Sequence, residues 1–396
     1  MAKAKTGFYF YLGKLFTAMH QLFAPHSFEK NNSLLLRVTA FCWLMAKLIG
    51  WRMFTTYRSF PTAPAFGFFD QIHASVHTFL YVLAVLLLIL LLLAPVNKLF
   101  VASLLVCDTL SCLLDQNRLQ PWDYQYMFLL FVFMINDTKG NKITGLFLFI
   151  LASTYIYSGL GKLNAGFLHT VWTKMLLEQF LHLSPKIALQ SWAQYCGYAA
   201  GLFELIAGFG LLFTITRKIS AGMLILLHLF ILVFLGPFGL KYNLVVWPWN
   251  VAMMVYLYVV VFRIKEGTTP LPQLFSNWNI AVFICWGILP AFSFVGWWDN
   301  YLSSRIYTGK LPEMVICITD TSKCKPLQRY CVNGYRGLCA GSGYVNLQYW
   351  SMAETKMAPY PEIRSYKKIE AKLEKKFPEA GFSFIYFNGD KWEGNK

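Results

Sequence analysis

Long apolar stretches separated by short polar, basic ones fill the first three quarters of this chain. Runs such as HTFLYVLAVLLLILLLLAP hold about 18 or more residues without a charge, enough to cross a bilayer core as helix. Nine such stretches predict spans near 34–55, 74–94, 97–114, 124–136, 143–162, 194–214, 218–236, 244–263 and 279–298. The fourth is short and crosses only if it extends into its flanks, so eight spans is the alternative count. Between the fifth and sixth, FLHTVWTKMLLEQFLHLSPK sets Leu168, Trp172, Met175, Leu176 and Phe180 on one helical face, and His169, Thr173, Lys174 and Glu178 elsewhere. That pattern predicts a helix lying in the outer interface, ended by Ser184-Pro185, where it could cover whatever sits beneath it. Beyond about residue 300 the pattern changes. MVICIT and FSFIYF read as strands, and YPEIRSYKKIEAKLEKKFP as a helix starting at Pro361 with Ile363, Tyr366, Ile369, Leu373 and Phe377 along one stripe.

Composition agrees with a membrane solvent. Of 396 residues, 57% are hydrophobic, 18% aromatic and only 14% charged, where a soluble domain carries about a quarter charged residues. The net charge of +16 does not call for nucleic acid, because the basic residues are spread over membrane-flanking loops and the tail. Loops on the N-terminal side hold Lys98, Lys139, Lys142, Arg217, Lys218, Arg263 and Lys265; those opposite hold Arg52, Arg58, Arg118, Lys174, Lys186 and Lys241. Counting Lys3, Lys5, Lys14 and Lys30 as well, the excess predicts a cytoplasmic N-terminus and, with nine spans, a C-terminal domain outside. The basic start MAKAKTGFYFYLGKLFTAMHQLF is broken by Gly13, Lys14 and His20 and reads as an interfacial segment rather than a cleaved leader. The expected fold is an all-α polytopic membrane bundle of about nine transmembrane helices with a small extracytoplasmic α+β C-terminal domain. Its parts are 1–30, interfacial; 31–300, transmembrane; and 301–396, extracytoplasmic. A bacterial cytoplasmic (inner) membrane, with the tail periplasmic, is the expected location, and membrane lipid the first partner.

Four of nine cysteines, Cys317, Cys324, Cys331 and Cys339, fall in the tail. They form no paired CxxC motif and have no histidine among them, so no metal is expected; two disulfides are. No serine elbow, phosphate-cradling loop or haem motif occurs.

Ionisable groups within spans are costly and mark function more often than they do in water. At about 1.5 Å per residue, Lys162 in YIYSGLGKLNAGF comes at the outer boundary, level with Asp115, Arg118 and Asp123 of LLDQNRLQPWDYQY. Asp108, Glu204 and His228 come near the midplane. Two polar layers are therefore expected, Lys162 near Asp115 in one and Asp108, Glu204 and His228 in the other. The bland reading of Lys162 is snorkelling to headgroups; the sharper one is a desolvated base. Glu204 and His228 on consecutive helices equally well satisfy each other as packing. His73 and His77 have metal-ligand spacing but no evident partners and read as interface histidines.

YSGLGKLNAGF, LEQFLHLSPK, GLFELIAGFGLLF and His228 in ILLHLF resemble, in that order, the core of the vitamin K-dependent gamma-carboxylase family, which includes the horizontally transferred transmembrane (HTTM) proteins. LLDQNRLQPWDYQY is similar to that family's segment between spans three and four. The resemblance covers roughly residues 30–300. GLGKL alone is also similar to DoxX-type quinone-linked membrane proteins. The resemblance implies an enzyme, a quinol-dependent oxidoreductase or carboxylase-like lyase, with menaquinone- or vitamin K-like quinol as cofactor. Lys162 would be the base, with His228 and Glu204 beside it, and Asp115, Trp122 and Tyr126 would contact the cofactor. An exported or membrane protein would be the modified partner. The chain departs from the family at Gln120–Asp123, which replaces an asparagine-histidine pair, and in its much shorter exterior domain. The alternative is a non-catalytic membrane subunit docking a partner through its C-terminal domain.

Overall fold

The structure, a computed structural model, describes residues 27–93, 97–263, 270–333, 339, 343–388 and the strand 391–394. The expected interfacial segment lies almost wholly outside them. Helices fill the nine apolar stretches: α1 (Phe28–Ile49), α2 (Ala74–Leu93), α3 (Lys98–Leu114), α4 (Pro121–Ile135), α5 (Lys142–Lys162), then, after a connecting helix α6 (Phe167–Phe180), α7 (Ser191–Gly210), α8 (Arg217–Leu235), α9 (Val246–Phe262) and α10 (Asn277–Val295). Among the described residues, α1, α2, α5, α8 and α10 are long and apolar enough to cross a membrane, so this is a membrane protein. α4, at 15 residues, is about 22 Å long and starts on Pro121, whose missing N–H costs nothing at a helix's first position.

Burial sorts these helices. In α5, 83% of the apolar stretch is buried, against 33% in α2 and α8 and 28% in α10. α5 is therefore the central post, packed by α4, α7 and α9, while the other three turn apolar side chains outward, as lipid contact requires.

The connecting helix α6 is wound wider than an α-helix, with i→i+5 bonds such as Leu181 N–H to the Leu176 carbonyl. The wider turn shifts its buried face. Leu168 and Leu176 are buried as expected, but Trp172, Met175 and Phe180 are only half-buried. Thr173, expected to face away, is buried with its Oγ1 accepting from Gln194 Nε2 at 2.9 Å.

The C-terminal domain is a five-stranded antiparallel sheet in the order β2-β3-β1-β4-β5, with β1 Glu313–Ile318, β2 Val332–Asn333, β3 Gly343–Asn346, β4 Phe382–Asn388 and β5 Lys391–Gly394. Strand alternation divides β1. Met314, Ile316 and Ile318 join Tyr366, Ile369 and Leu373 of α12 (Ile363–Lys376), which follows α11 (Leu347–Thr355), in one core. Val315 and Cys317 face the other side with Cys339 and Ile385. Cys317 and Cys339 are bridged; Cys324 and Cys331 are not, which corrects the expected second disulfide. Both pack as free thiols on the α12 side of the sheet, and burial pushes each thiol up. The helix expected from Pro361 begins two residues later, at Ile363.

This domain is fastened to the helix ends. Glu354 accepts from the Ser59 and Phe60 amides at 2.7 and 2.8 Å. Tyr360 N–H donates to Asn117 Oδ1 at 3.0 Å and its hydroxyl to Asp299 Oδ2 at 2.6 Å. Gln120 Nε2 reaches the Ala358 carbonyl at 3.0 Å. Asp115, at the end of α3, sits under this junction. It pairs with Arg58 and accepts from the Ala63 amide at 2.9 Å. Burial alone would push its carboxyl up, but the Arg58 and Arg118 guanidinia outweigh it and hold the pKa below its ordinary value.

Candidate functional site at Lys162

Tyr155, Ser158 and Lys162 stand at i, i+3 and i+7 on α5, one stripe facing α7. Glycines bring the two helices together. A methyl built on Gly159 would lie 2.6 Å from the Leu205 amide nitrogen, and one on Gly208 2.9 Å from that of Ile156. Only hydrogen fits at either contact. At this separation Lys162 forms an ion pair with Glu204 and donates to Ser158 Oγ at 2.7 Å.

The bond to Ser158, one turn back, shows which way the lysine points. Cα–Cβ bonds tilt toward a helix's N-terminus, and for α5 that end lies on the far side of the bundle. Lys162 therefore folds inward to Glu204 instead of snorkelling outward, and its partner is not Asp115, which is engaged by Arg58. The expected pairing of Lys162 with Asp115 is corrected on this ground. Asn164 fixes the corner that follows, its Nδ2 donating to the carbonyls of Gly161 at 2.6 Å and Thr308 at 3.1 Å while its Oδ1 caps the Phe167 amide at 3.0 Å.

His228 does not bond Glu204 either. Its Nδ1 lies 2.7 Å from Asn250 Oδ1, and its Nε2 2.6 Å from the Tyr155 hydroxyl. Asn250 Nδ2 donates to the Val246 carbonyl at 2.8 Å, which fixes the amide with its oxygen toward the imidazole. An amide oxygen only accepts, so the proton sits on His228 Nδ1, and in the neutral ring Nε2 accepts from Tyr155. Tyr155 thus joins the histidine to the stripe that carries Lys162.

These groups open on a cavity of about 160 Å³ whose walls are otherwise mostly apolar, Thr154 and Ser304 apart, with Phe167, Trp172 and Leu176 from α6 and Leu227, Phe230 and Phe234 from α8. The connecting helix is indeed a cover. A cavity of ~150 Å³ receives a benzene ring, so this one has room for a single ring, with the remainder of a larger ligand leaving between helices. A second cavity of about 210 Å³ adjoins it beneath the C-terminal domain, lined by Gln120, Tyr242, Tyr301, Gln348 and Tyr366. The two share Val171, Val246, Trp249, Ile306 and Tyr307. Tyr307 has φ 53° and its hydroxyl accepts from Nδ2 of Asn243, φ 54°, at 2.9 Å. Two non-glycine residues in left-handed backbone at one partition are a local cost.

The remaining expected site residues are placed elsewhere. Trp122 lines the second cavity; Tyr126 is buried among Trp43 and Trp122; Asp115 belongs to the domain junction. Asp108 is not with Glu204 and His228, which corrects the expected midplane trio. It pairs with Lys47, as does Asp123 at 3.4 Å, and Trp43 Nε1 donates to Asp123 at 2.7 Å. Asp108, Cys112 and Asp123 hold ligand atoms within 4.8 Å of one another, and the cation among them is the Lys47 ammonium. His77 is buried with its Nδ1 2.7 Å from Arg118 Nη2, while His73 bonds Ser75.

The sequence reading missed Tyr155, Ser158 and Asn250. The first two carried a signal, their helical spacing with Lys162; Asn250 carried none, because its pairing with His228 is set by the α8–α9 approach.

Fold and site together define a helical membrane protein with a lysine–glutamate pair and a histidine–tyrosine pair bordering a mostly apolar cavity among its helices. No family model, no curated protein and no solved structure matches this chain.

Proposed function

We propose that the Lys162 cavity takes the ring of a membrane quinol and that Lys162 is the base acting on it. One observation carries this reading: an ion pair that opens on a mostly apolar void of ring size. A quinol supplies acidic ring hydroxyls and two electrons, with molecular oxygen the oxidant that the family resemblance implies. Filling the cavity removes water from the pair, and dry surroundings disfavour separated charge. The proton then passes from Lys162 to Glu204, leaving a neutral amine, held by Ser158, toward the ring. Tyr155, whose proton is donated to His228 Nε2, presents its hydroxyl oxygen as an acceptor for the second ring hydroxyl, and Asn250 keeps His228 in that tautomer. The cavity beside Tyr307 is the place for a second reactant, so coupled modification of an exported protein belongs to the same proposal. The docking alternative must use a face of the C-terminal domain other than the one held against the helix ends.

The same reading has the chain crossing nine times, N-terminus cytoplasmic and C-terminal domain periplasmic, in a bacterial inner membrane. The basic excess on the N-terminal side supports it.

The test is oxidation of reduced menaquinone or a single-ring quinol, with oxygen, by the purified chain and by Lys162→Ala. Loss of a general base typically costs 10²–10⁴-fold, so a fall of at least about 100-fold is expected with the fold intact. Equal quinone or epoxide formation by both proteins removes the claim.

A further inference from the structure

A third cavity, of about 510 Å³, lies far from Lys162 in chain and composition, between the 56–62 segment and the C-terminal end of α12. Its rim carries Lys372, Lys375 and Lys376, its floor Phe60, Leu327, Trp350 and Leu373, and among the described residues no carboxylate lines it. Lys372 is satisfied by Asp70 at 2.6 Å and Thr62 Oγ1 at 2.7 Å. Because that threonine oxygen accepts from the lysine, its own O–H remains to be donated. Lys375 and Lys376 are exposed, and among the described residues neither is paired with a carboxylate. Arg58 also lines the cavity, but its side chain is 1% exposed and paired with Asp115, so the free positive charge of the cleft is that of Lys375 and Lys376.

The level of the cleft indicates where a matching anion comes from. The 56–65 segment is bonded to the end of α3, Ala65 N–H to the Leu113 carbonyl at 2.8 Å, and Lys368 of α12 donates to the Ala65 carbonyl at 2.9 Å. The residues on either side expose aromatic rings, Tyr57 at 67%, Phe66 at 54% and Phe68 at 64%. Exposed aromatics beside helix ends mark the headgroup layer, so the basic rim of α12 is held at that layer.

We propose that this cleft binds a phosphate-bearing anion, the headgroup of an anionic phospholipid in the leaflet beside the C-terminal domain. The lysines supply point charges to the phosphate and the Phe60–Trp350 floor meets the glycerol and upper acyl carbons. The inference is independent of the Lys162 reading. Lysines in a last helical turn also complement the helix dipole, a role that gives no choice between lipids, and this difference makes the test.

The full chain in detergent is titrated with phosphatidylglycerol or phosphatidylcholine and bound lipid is read by native mass spectrometry. Phosphatidylglycerol is expected to bind at least tenfold tighter. The Lys375→Ala/Lys376→Ala variant loses roughly tenfold or more of that affinity, from about fivefold per juxtamembrane lysine. Lys375→Arg/Lys376→Arg retains it, and Lys174→Ala, on α6, changes nothing. Equal affinity for the two lipids, or an unchanged double-alanine variant, overturns the proposal. A lysine-dependent uptake of inorganic phosphate with no gain from phosphatidylglycerol overturns the lipid source, and lysine-dependent binding of an acidic peptide without lipid preference does the same.

Discussion

Two lysines paired within the helical bundle divide this molecule. Lys47 is 1% exposed, shares Asp108 and Asp123, lies 3.9 Å from the Phe54 ring centre, and borders none of the three cavities described above. Lys162 has one carboxylate, one hydroxyl and 17% exposure, and it borders a void. Both are lysine–carboxylate sites at membrane depth, and both satisfy the expectation that such groups pair. What separates them is access. Away from those cavities, the Lys47 cluster ties α1, α3 and α4 together. Lys162 and Glu204 have an open side on the cavity.

The comparison breaks most readily at Lys47. Lys47→Met leaves two buried carboxylates without a cation, and removing one partner of a buried pair costs about 3–5 kcal/mol; chemical denaturation in detergent is expected to show it, or expression to fail. Lys162→Met should cost clearly less, because Glu204 keeps contact with the cavity. A larger loss at Lys162 than at Lys47 would reverse the assignment of roles. Lys47→Met combined with Asp108→Asn and Asp123→Asn should recover much of the loss, since an uncharged replacement of a buried cluster is often near neutral. No recovery would mean that the charges do more than hold helices.

The next effect is on geometry. Gly159→Ala puts a methyl against Leu205 backbone, which cannot move without parting α5 from α7. Overpacking costs about 1–3 kcal/mol, and quinol oxidation should fall at least about tenfold as Lys162 and Glu204 separate. Undiminished activity with a normal melting point would show that the close approach of α5 and α7 is not needed.

The smallest effect is at the domain junction. Asp115 is held below its ordinary 3.8, so its stabilising contribution is complete above that value and is lost as pH falls through the lower folded one. Acid should therefore loosen the Arg58–Asp115 junction, seen as faster proteolysis near residues 55–65 below about pH 4, and Asp115→Asn should abolish that pH dependence. Unaltered acid sensitivity in Asp115→Asn would place the titrating group elsewhere.

Much of this was legible in the chain. Apolar run length located the helices because in lipid each must satisfy its own backbone, and the stripe from Ile363 to Leu373 marked α12 through its spacing. Lys162, Glu204 and His228 stood out as charges among apolar neighbours. Their pairings did not, for a definite reason. Depth counted along each helix treats a lysine as a point at its Cα, whereas its long arm spans more than a helical turn and follows the backward tilt of Cβ. That reach carried Lys162 to Glu204 instead of Asp115. Lys47 went unremarked in AKLIGWR because a basic residue near a span's end looks like an interface anchor. The buried face of α6 was misjudged because the period used was 3.6, and the short strands β2, β3 and β5 carry too few residues for alternation to register.

The account rests on the cavity beside Lys162 accepting a quinol, and photoaffinity labelling of native membranes with an azidoquinone tests that most directly. The expected adducts fall on the segments carrying Trp172, Leu227 and Phe230 and disappear when unlabelled quinol is added in excess. Labels scattered over the lipid-facing sides of α2, α8 and α10, undiminished by competitor, would contradict it.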